Sequence, residues 1–211
     1  MKFYDCSTAP SPRRVRIYIA EKGLSDRIET VEVNLREAAQ MTPEFAAINP
    51  NRTVPVLETD DGARFLSTQG CWRYLEAAFP EPPLMGRTPA EQGRVADLEW
   101  WAEMDGFMAV GEALRNSAPR LKDRALVGPH NYAQIPALAE RGLQRVPRFF
   151  ERLDELLEGR EFLAGDFYSI ADITALVSVD FAGWLKLTLP DSASNARRWH
   201  EAVSARASAR L

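Results

Sequence analysis

The stretch that decides the fold reads NPNRTVPVL at residues 49–57 and continues after a short turn as FLST at residues 65–68. Apolar residues on both sides of the Asp-Asp-Gly turn at 60–62 predict two strands joined as a hairpin. A helix from about Thr68 to Ala78 follows, because a serine is a favoured N-cap and Pro80 ends the pattern. The segment therefore predicts two strands and a helix that complete an α/β domain.

Pro55 lies inside this strand pattern, where proline removes a ladder donor and belongs at an edge, a bulge or the first residue of a strand. The pattern alone favours a trans proline, because cis bonds are uncommon even before proline. If the bond is cis, Val54 turns its N–H and C=O outward and offers an edge to an extended peptide. A second binding feature is Ser67-Thr68, since the free N–H groups of a helix N-terminus attract a carboxylate; a plain N-cap is the alternative.

Upstream of this segment the chain alternates strand and helix. Residues 2–5 predict a strand, and Ser11 as N-cap with Pro12 as the first helical residue predicts a helix that Gly23 ends. Alternating apolar residues at 31–35 predict a second strand, and a short helix is expected near 43–47. The order βαβ and then ββα predicts an α/β domain over residues 1–79, followed by a proline-rich linker over residues 80–87.

Beyond the linker, the apolar period is helical. A capping box at residues 88–91 begins a long helix that extends to about Asn116. A second long helix is expected over residues 134–158, bent at Pro147. Ser169 and Asp172 predict a further capping box, and a last helix is expected between residues 194 and 209. Residues 88–211 are thus predicted to form an all-α domain.

Composition excludes several classes of function. The chain has 211 residues, a net charge of −4, 45% hydrophobic residues and only two histidines, and its calculated isoelectric point is about 5.4. These values argue against a disordered chain, a duplex-binding surface and a histidine-based metal site. No apolar run approaches the roughly 20 residues that span a bilayer. Two cysteines without a CxxC pair predict a reducing, cytoplasmic compartment.

Taken together, these segments resemble the glutathione transferases. The resemblance extends to residues 9–17 (APSPRRVRI), 72–76 (WRYLE) and 162–173 (FLAGDFYSIADI), in order and at matching spacing over nearly the whole chain. The N-terminal segment is similar to the APxPxRVRI-like start of a bacterial and fungal subgroup. The resemblance implies a thioredoxin-like N-terminal domain, an all-helical C-terminal domain and a homodimer.

The resemblance also implies which residues bind glutathione. Val54, before a cis Pro55, would pair its backbone with the cysteinyl part, and Thr68 would hold the γ-glutamyl carboxylate. Family members usually carry Glu-Ser where this chain has Ser67-Thr68, so the acidic partner of the γ-glutamyl ammonium is missing. Asp105 across a dimer interface is one candidate to replace it.

A sharper departure from the family concerns the activation of the thiol. Most classes place a Tyr, Ser or Cys after the first strand, and the alignment puts Ala9 at that position. Ser11 is the best replacement near the N-terminus of the first helix, although its expected role as N-cap opposes this interpretation. Lower-ranked candidates are Cys6, His130 and the polar end of the long helix at 115–117.

The expected activity is conjugation of the glutathione thiolate to a small apolar electrophile, with glutathione as co-substrate and no metal. Trp101, Met104 and Met108 are expected to line the electrophile pocket, although such a stripe is more often core or dimer contact. The alternatives are a non-catalytic glutathione-fold binding protein and a glutathione-dependent isomerase or dehalogenase. Nucleic acid and membranes are not expected partners.

Overall fold

The computed structural model describes residues 1–211, and its contacts divide them into two units. The first contains residues 1–82, 126–130 and Leu211, and the second contains residues 83–125 and 131–210. The division falls between Pro82 and Pro83, inside the segment expected to be a linker. Residues 126–130, expected in the helical domain, instead have their contacts in the first unit.

The first unit is built on a four-stranded sheet in the order β2-β1-β3-β4. Its strands are β1 (Lys2–Asp5), β2 (Glu29–Glu32), β3 (Val56–Glu58) and β4 (Arg64–Phe65). β1 runs parallel to β2 and antiparallel to β3, and β3 pairs antiparallel with β4. β2 begins at Glu29 and ends at Glu32, and Leu35 begins a short 3₁₀ turn, so the second strand lies two to three residues earlier than the apolar alternation indicates.

Three helices accompany this sheet: α1 (Pro10–Glu21), α2 (Pro43–Ile48) and α3 (Thr68–Ala78). The prediction that Ser11 is the N-cap of α1 is wrong. The N-cap is Ala9, in an extended conformation, and Pro10 is the first helical residue. Pro10 and Pro12 both suit the first turn of a helix because their φ is fixed near the helical value. The earlier proline determines where the helix begins, and Ser11 becomes its second residue.

The named elements of the second unit are all helices. Its helices are α4 (Pro89–Trp101), α5 (Met108–Ser117), α6 (Pro136–Leu156), α7 (Ile170–Ala182) and α8 (Ser194–Ser204). The single helix expected up to Asn116 is interrupted by a π-helical segment, Ala102–Phe107, between α4 and α5. α6 contains Pro147 in its interior, as the sequence predicts. None of the helices combines the length and the apolar character that crossing a membrane requires.

The N-terminus of α7 is a buried polar junction. Ser169 and Asp172 form the predicted capping box. The Asp172 carboxylate also accepts hydrogen bonds from the N–H of Leu163 at 2.9 Å and from the indole N–H of Trp199, on α8, at 3.0 Å. Burial raises the pKa of this carboxyl to about 6 even though all these donors favour the anion. Asp172 therefore joins three segments of the helical unit.

Candidate functional site

The first turn of α1 carries an unusual set of residues. Ala9 at the N-cap has no side chain that caps the helix, although alanine is among the least favourable residues there. Pro10 and Pro12 have no N–H group. Ser11, between them, lies at a partly buried position. Among these residues, Ser11 alone carries both a backbone N–H and a polar side chain at the start of the helix.

The N-termini of α1 and α3 meet through two hydroxyl groups. The hydroxyls of Ser11 and Thr68 lie 3.4 Å apart. The buried guanidinium of Arg14 donates from Nη2 to Ser11 Oγ at 3.3 Å and to Thr68 Oγ1 at 3.5 Å. Both helix dipoles and one buried cation thus act at the same place, and each of them favours a bound anion.

The α3 terminus shows how its two hydroxyl residues divide their roles. Ser67 is the N-cap, and its hydroxyl accepts the N–H of Gly70 at 3.0 Å. Thr68 is buried, with its hydroxyl directed toward Ser11 and Arg14. The N–H of Thr68 is the first of the helix and has no partner within it. An anion at this end would therefore meet backbone donors first.

The Val54–Pro55 peptide bond is cis. The preference for a trans proline drawn from the pattern alone is wrong, and the cis bond implied by the resemblance is present. The pairing of β3 with β1 begins at Val56, so Val54 takes no part in that ladder. The sheet thus leaves the backbone of Val54 available at the end of the strand.

Asn49 holds the loop that leads to Val54. Its fully buried side chain donates to the carbonyl of Thr53 at 2.7 Å and accepts the N–H of Asn51 at 2.9 Å. Arg52 in the same loop adopts a left-handed φ of 53°, a conformation that non-glycine residues rarely take. Asn49 thereby fixes the loop around this residue.

One hydrophobic cluster connects these features. Val54 belongs to it with Tyr4, Cys6 and Val56, and both Ala9 and Leu66 pack against it. Ala9 is the N-cap of α1, and Leu66 precedes the cap of α3. The cluster thus brings Val54 and the starts of the two helices to one side of the first unit.

The turn between β1 and α1 is held by charged side chains. Glu32 accepts both the N–H and the hydroxyl of Ser7, at 3.1 and 3.2 Å. Arg16 donates to the carbonyl of Ser7 at 3.2 Å and to the buried carboxylate of Asp5 at 2.5 Å. Burial raises the pKa of Asp5 in spite of the opposing charge of Arg16. These bonds fix the turn in which Cys6 and Ala9 lie.

Neither cysteine has the surroundings of a reactive thiol. Cys6 is buried, and its sulfur lies 3.6 Å from the hydroxyl of Thr8. Cys71 is fully buried in α3, and burial raises the pKa of its thiol to about 12. A thiol with such a pKa is protonated at neutral pH.

The residues expected to line an electrophile pocket lie where α4 passes through the π-helical segment into α5. Trp101 is partly buried, and its ring packs on Phe149 with centroids 5.0 Å apart. Met104 and Met108 are exposed. Their exposed tryptophan neighbour is Trp100 rather than Trp101.

The polar candidates of the helical half are engaged in local bonds. Asn116 donates to the carbonyl of Glu112 and accepts the N–H of Ile135, and Ser117 donates to the carbonyl of Ala113. Asp105 is half-exposed and pairs with Arg145 at 3.0 Å. His130 is exposed and lies within residues 126–130, which belong to the first unit.

Sequence reasoning missed two residues of this site. Arg14 was considered only as part of the motif at residues 9–17, yet it is buried beneath both helix starts. The feature of the sequence that could have indicated its burial is its position next to Val15, in the apolar stripe of α1. Asn49 was read only as part of a motif, although an Asn-Pro pair marks a turn whose side chain can hold the backbone.

Comparison with known proteins agrees with this architecture. The family model described as glutathione S-transferase, N-terminal domain, matches residues 8–78, and the corresponding C-terminal domain model matches residues 113–207. Glutathione S-transferase 2 of Saccharomyces cerevisiae is 32% identical over 99% of this chain and 87% of its own length.

Solved structures show the same similarity. A glutathione S-transferase domain-containing protein of Marinobacter aquaeolei has a TM-score of 0.91 and 34% identity, with 99% of each chain covered. Gtt2 of Saccharomyces cerevisiae has a TM-score of 0.90 and 31% identity, covering 100% of this chain and 99% of its own. Together with the thioredoxin-like first unit and the helical second unit, these matches show that the chain belongs to the glutathione S-transferase family.

Proposed function

We propose that this glutathione transferase conjugates the thiolate of glutathione to small apolar electrophiles. The observation that carries the proposal is the meeting of two helix N-termini over the buried Arg14, on the same side of the unit as the free backbone of Val54. Glutathione carries a carboxylate at its γ-glutamyl end and a thiol in its centre. A site with two positive helix ends and one free strand edge matches that pattern of charge and backbone.

In this proposal each binding residue has a distinct role. Val54, set by the cis bond to Pro55, pairs its backbone with the cysteinyl residue of glutathione. Thr68 holds the γ-glutamyl carboxylate through its backbone N–H, and Ser67 caps the helix that carries this donor. Ser11 is the residue that stabilises the thiolate, since Ala9 has no donor.

The electrophile is proposed to contact Met104 and Met108, whose exposed, flexible side chains accommodate ligands of different shape. Trp101, whose ring packs on Phe149, is proposed to contribute to the same pocket. An isomerase or dehalogenase that uses glutathione would keep the first site and differ at these residues. A set of electrophiles of different chemistry separates these possibilities.

The cellular context of the proposal follows from the cysteines and the family. Both cysteines are free thiols and are buried, which suits the reducing cytoplasm. We place the protein there as a homodimer that acts in detoxification of electrophiles.

The test is calorimetric titration with glutathione, followed by turnover of a generic aromatic halide. Glutathione at millimolar concentration should also raise the melting temperature, because a ligand that binds only the native state stabilises it. Binding without turnover of any electrophile would favour a non-catalytic glutathione-binding protein. The absence of both titration heat and thermal shift would overturn the proposal.

A further inference from the structure

A short stretch of the connection between α5 and α6 has its contacts in the unit that carries the proposed glutathione site. Leu126–His130 is the only stretch between residues 83 and 210 that belongs to the first unit, and we call it the strap. The residues on either side of it, 118–125 and 131–135, belong to the second unit. The strap therefore needs an explanation that its own helical neighbours do not supply.

The two ends of the strap are held together by hydrogen bonds. The N–H of Ala125 donates to the carbonyl of Tyr132 at 3.1 Å, and the N–H of Tyr132 donates to the carbonyl of Asp123 at 3.0 Å. The guanidinium of Arg115, in α5, donates to the carbonyl of Ala125 at 3.1 Å and also to that of Arg124. Because its ends are tied in this way, the strap is a closed loop with a defined path.

Gly128, in the middle of the strap, is the residue that meets the first unit. It is buried, although the other four residues of the strap are exposed. A Cβ on Gly128 would lie 3.7 Å from the carbonyl oxygen of Asn51, and its φ of 112° is one that residues with a side chain rarely adopt. The glycine thus allows the backbone of the strap to lie against the backbone of Asn51.

Asn51 belongs to the turn that leads to Val54. Its N–H donates to the side chain of Asn49 at 2.9 Å, and the same side chain donates to the carbonyl of Thr53 at 2.7 Å. Asn49 is fully buried, so it holds the turn from within, while Gly128 of the strap lies against it at Asn51. Only two residues separate Asn51 from Val54, so a shift of the turn would also move the backbone of Val54.

We propose that Gly128 is a positioning residue for glutathione binding, because the strap holds residues 49–53 in the conformation that presents the backbone of Val54. The proposal rests on the proposed function, in which Val54 pairs with the cysteinyl part of glutathione. Gly128 itself does not touch the ligand. If the strap leaves Asn51, the turn samples further conformations, and the apparent affinity for glutathione falls with the fraction of molecules that keep the competent one.

The experiment compares two glycines of the first unit. Alanine at position 128 rarely adopts the φ found there, so Gly128→Ala should displace the strap from Asn51. Gly62→Ala is the matched control, because Gly62 also has a positive φ, 85°, and a Cβ on it would have nothing within 4 Å. It introduces backbone strain at a place that makes no such contact.

For each protein, glutathione affinity is measured by calorimetry, KM and kcat with an aromatic halide, and hydrogen exchange at the amides of residues 49–54. Gly128→Ala should weaken glutathione binding by about tenfold, the effect of a turn that is competent in about one molecule in ten. The KM for glutathione should rise while kcat changes by less than about threefold, as expected when binding alone is lost. Exchange at the amides of Asn51 and Val54 should be faster than in Gly62→Ala.

Arg115→Lys provides a second variant if Gly128→Ala does not fold. An ammonium group cannot reproduce the fork that holds the carbonyls of Arg124 and Ala125, so this variant should loosen the strap and weaken glutathione binding in the same way. A folded variant that loses thermal stability but binds glutathione as tightly as Gly62→Ala would show that the strap only stabilises the fold, and the proposal would be wrong. Wild-type protein that binds no glutathione would instead remove the proposed function, so the two failures are distinguishable.

Discussion

Thr68 illustrates how a single buried hydroxyl can connect the starts of two helices. Its oxygen lies within hydrogen-bond distance of both Ser11 and Arg14, and its side chain is buried. The backbone N–H of the same residue opens α3. The hydroxyl therefore orders the site, and the N–H is left for an anion.

This division of roles can be tested with Thr68→Val, which keeps the shape of the side chain and removes its hydroxyl. The free energy of unfolding should fall by about 1–3 kcal/mol, because a buried bond to a charged donor is lost. Glutathione affinity should change by less than about threefold, since the backbone donor remains. Thr68→Ser, which keeps the hydroxyl, is the matched control. Weaker binding with unchanged stability in Thr68→Val would show that the hydroxyl contacts the ligand directly.

At the scale of elements, the packing of α5 against α6 depends on a glycine in α6, which has no side chain. A Cβ at Gly142 would lie 2.7 Å from the Ala109 carbonyl oxygen and from the Ala113 nitrogen, both backbone atoms. Backbone atoms cannot turn aside as a flexible side chain does, so the helices approach this closely only with glycine there.

Gly142→Ala should therefore destabilise the protein even though alanine is the better helix former. The steric cost of overpacking, about 1–3 kcal/mol, exceeds the roughly 1 kcal/mol gained from helix propensity. Gly111→Ala is the control, since Gly111 lies inside α5 with nothing within 4 Å of its added Cβ. That variant should gain about 0.5–1 kcal/mol. Urea unfolding measures both, and a stabilised Gly142→Ala would contradict the packing argument.

The buried carboxyl at the N-terminus of α7 predicts that the free energy of unfolding depends on pH. The pKa of Asp172 is about 6 in the folded chain and 3.8 as a model value, so the folded state holds the proton more tightly. The stability that this group contributes is fully present below pH 3.8 and is lost as pH rises through 6. The difference in unfolding free energy between wild type and Asp172→Asn should fall across this window by on the order of 3 kcal/mol. A pH-independent difference would show that folding does not raise the pKa of this carboxyl.

Asp172→Ala tests the same junction, because it removes the two carboxylate oxygens that accept the hydrogen bonds there. Its buried donors, which include the Leu163 N–H and the Trp199 indole, would be left without a partner. The expected loss is several kcal/mol, because each buried donor left without a partner costs about 1–3 kcal/mol. Asp191→Ala is the control, because Asp191 is fully exposed in its pair with Arg197. That control should cost no more than about 1 kcal/mol.

The elements differ in how well the sequence predicts them. α3 begins and ends as predicted because Ser67 and Pro80 are unambiguous local signals. The start of α1 is misplaced because two prolines each fit the first helical position and alanine gives no capping signal. The π-helical segment could not be predicted, because its residues continue the apolar helical period and carry no distinct sequence pattern. The isomer of the Val54–Pro55 bond is likewise invisible to hydrophobic periodicity, and only the resemblance implied it.

At the scale of the whole molecule, the sequence alone could not assign residues 126–130 to the first unit. Their place in the first unit is a non-local property: Gly128 is buried, and a Cβ on it would lie 3.7 Å from the carbonyl oxygen of Asn51. No periodicity links positions so far apart in the chain. The same limitation hid Arg14, whose partners include Thr68 of α3.

The subunit arrangement is the remaining prediction at this scale. In the second unit Trp100 and Trp184 are at least half exposed, as large apolar residues are at interaction surfaces. Light scattering should therefore give a mass close to twice the 23.7 kDa of the chain. A mass of one chain at micromolar concentration would contradict the proposed homodimer.

The two prolines around Ser11 also have a spectroscopic consequence. Proline has no amide proton, so a ¹⁵N–¹H correlation spectrum contains no signal from positions 10 and 12. The Ser11 cross-peak is then an isolated reporter of the first turn of α1, with no neighbouring amide in sequence. In a uniformly ¹⁵N-labelled chain, its chemical shift can follow the ionisation of a bound ligand directly, without the replacement of any residue.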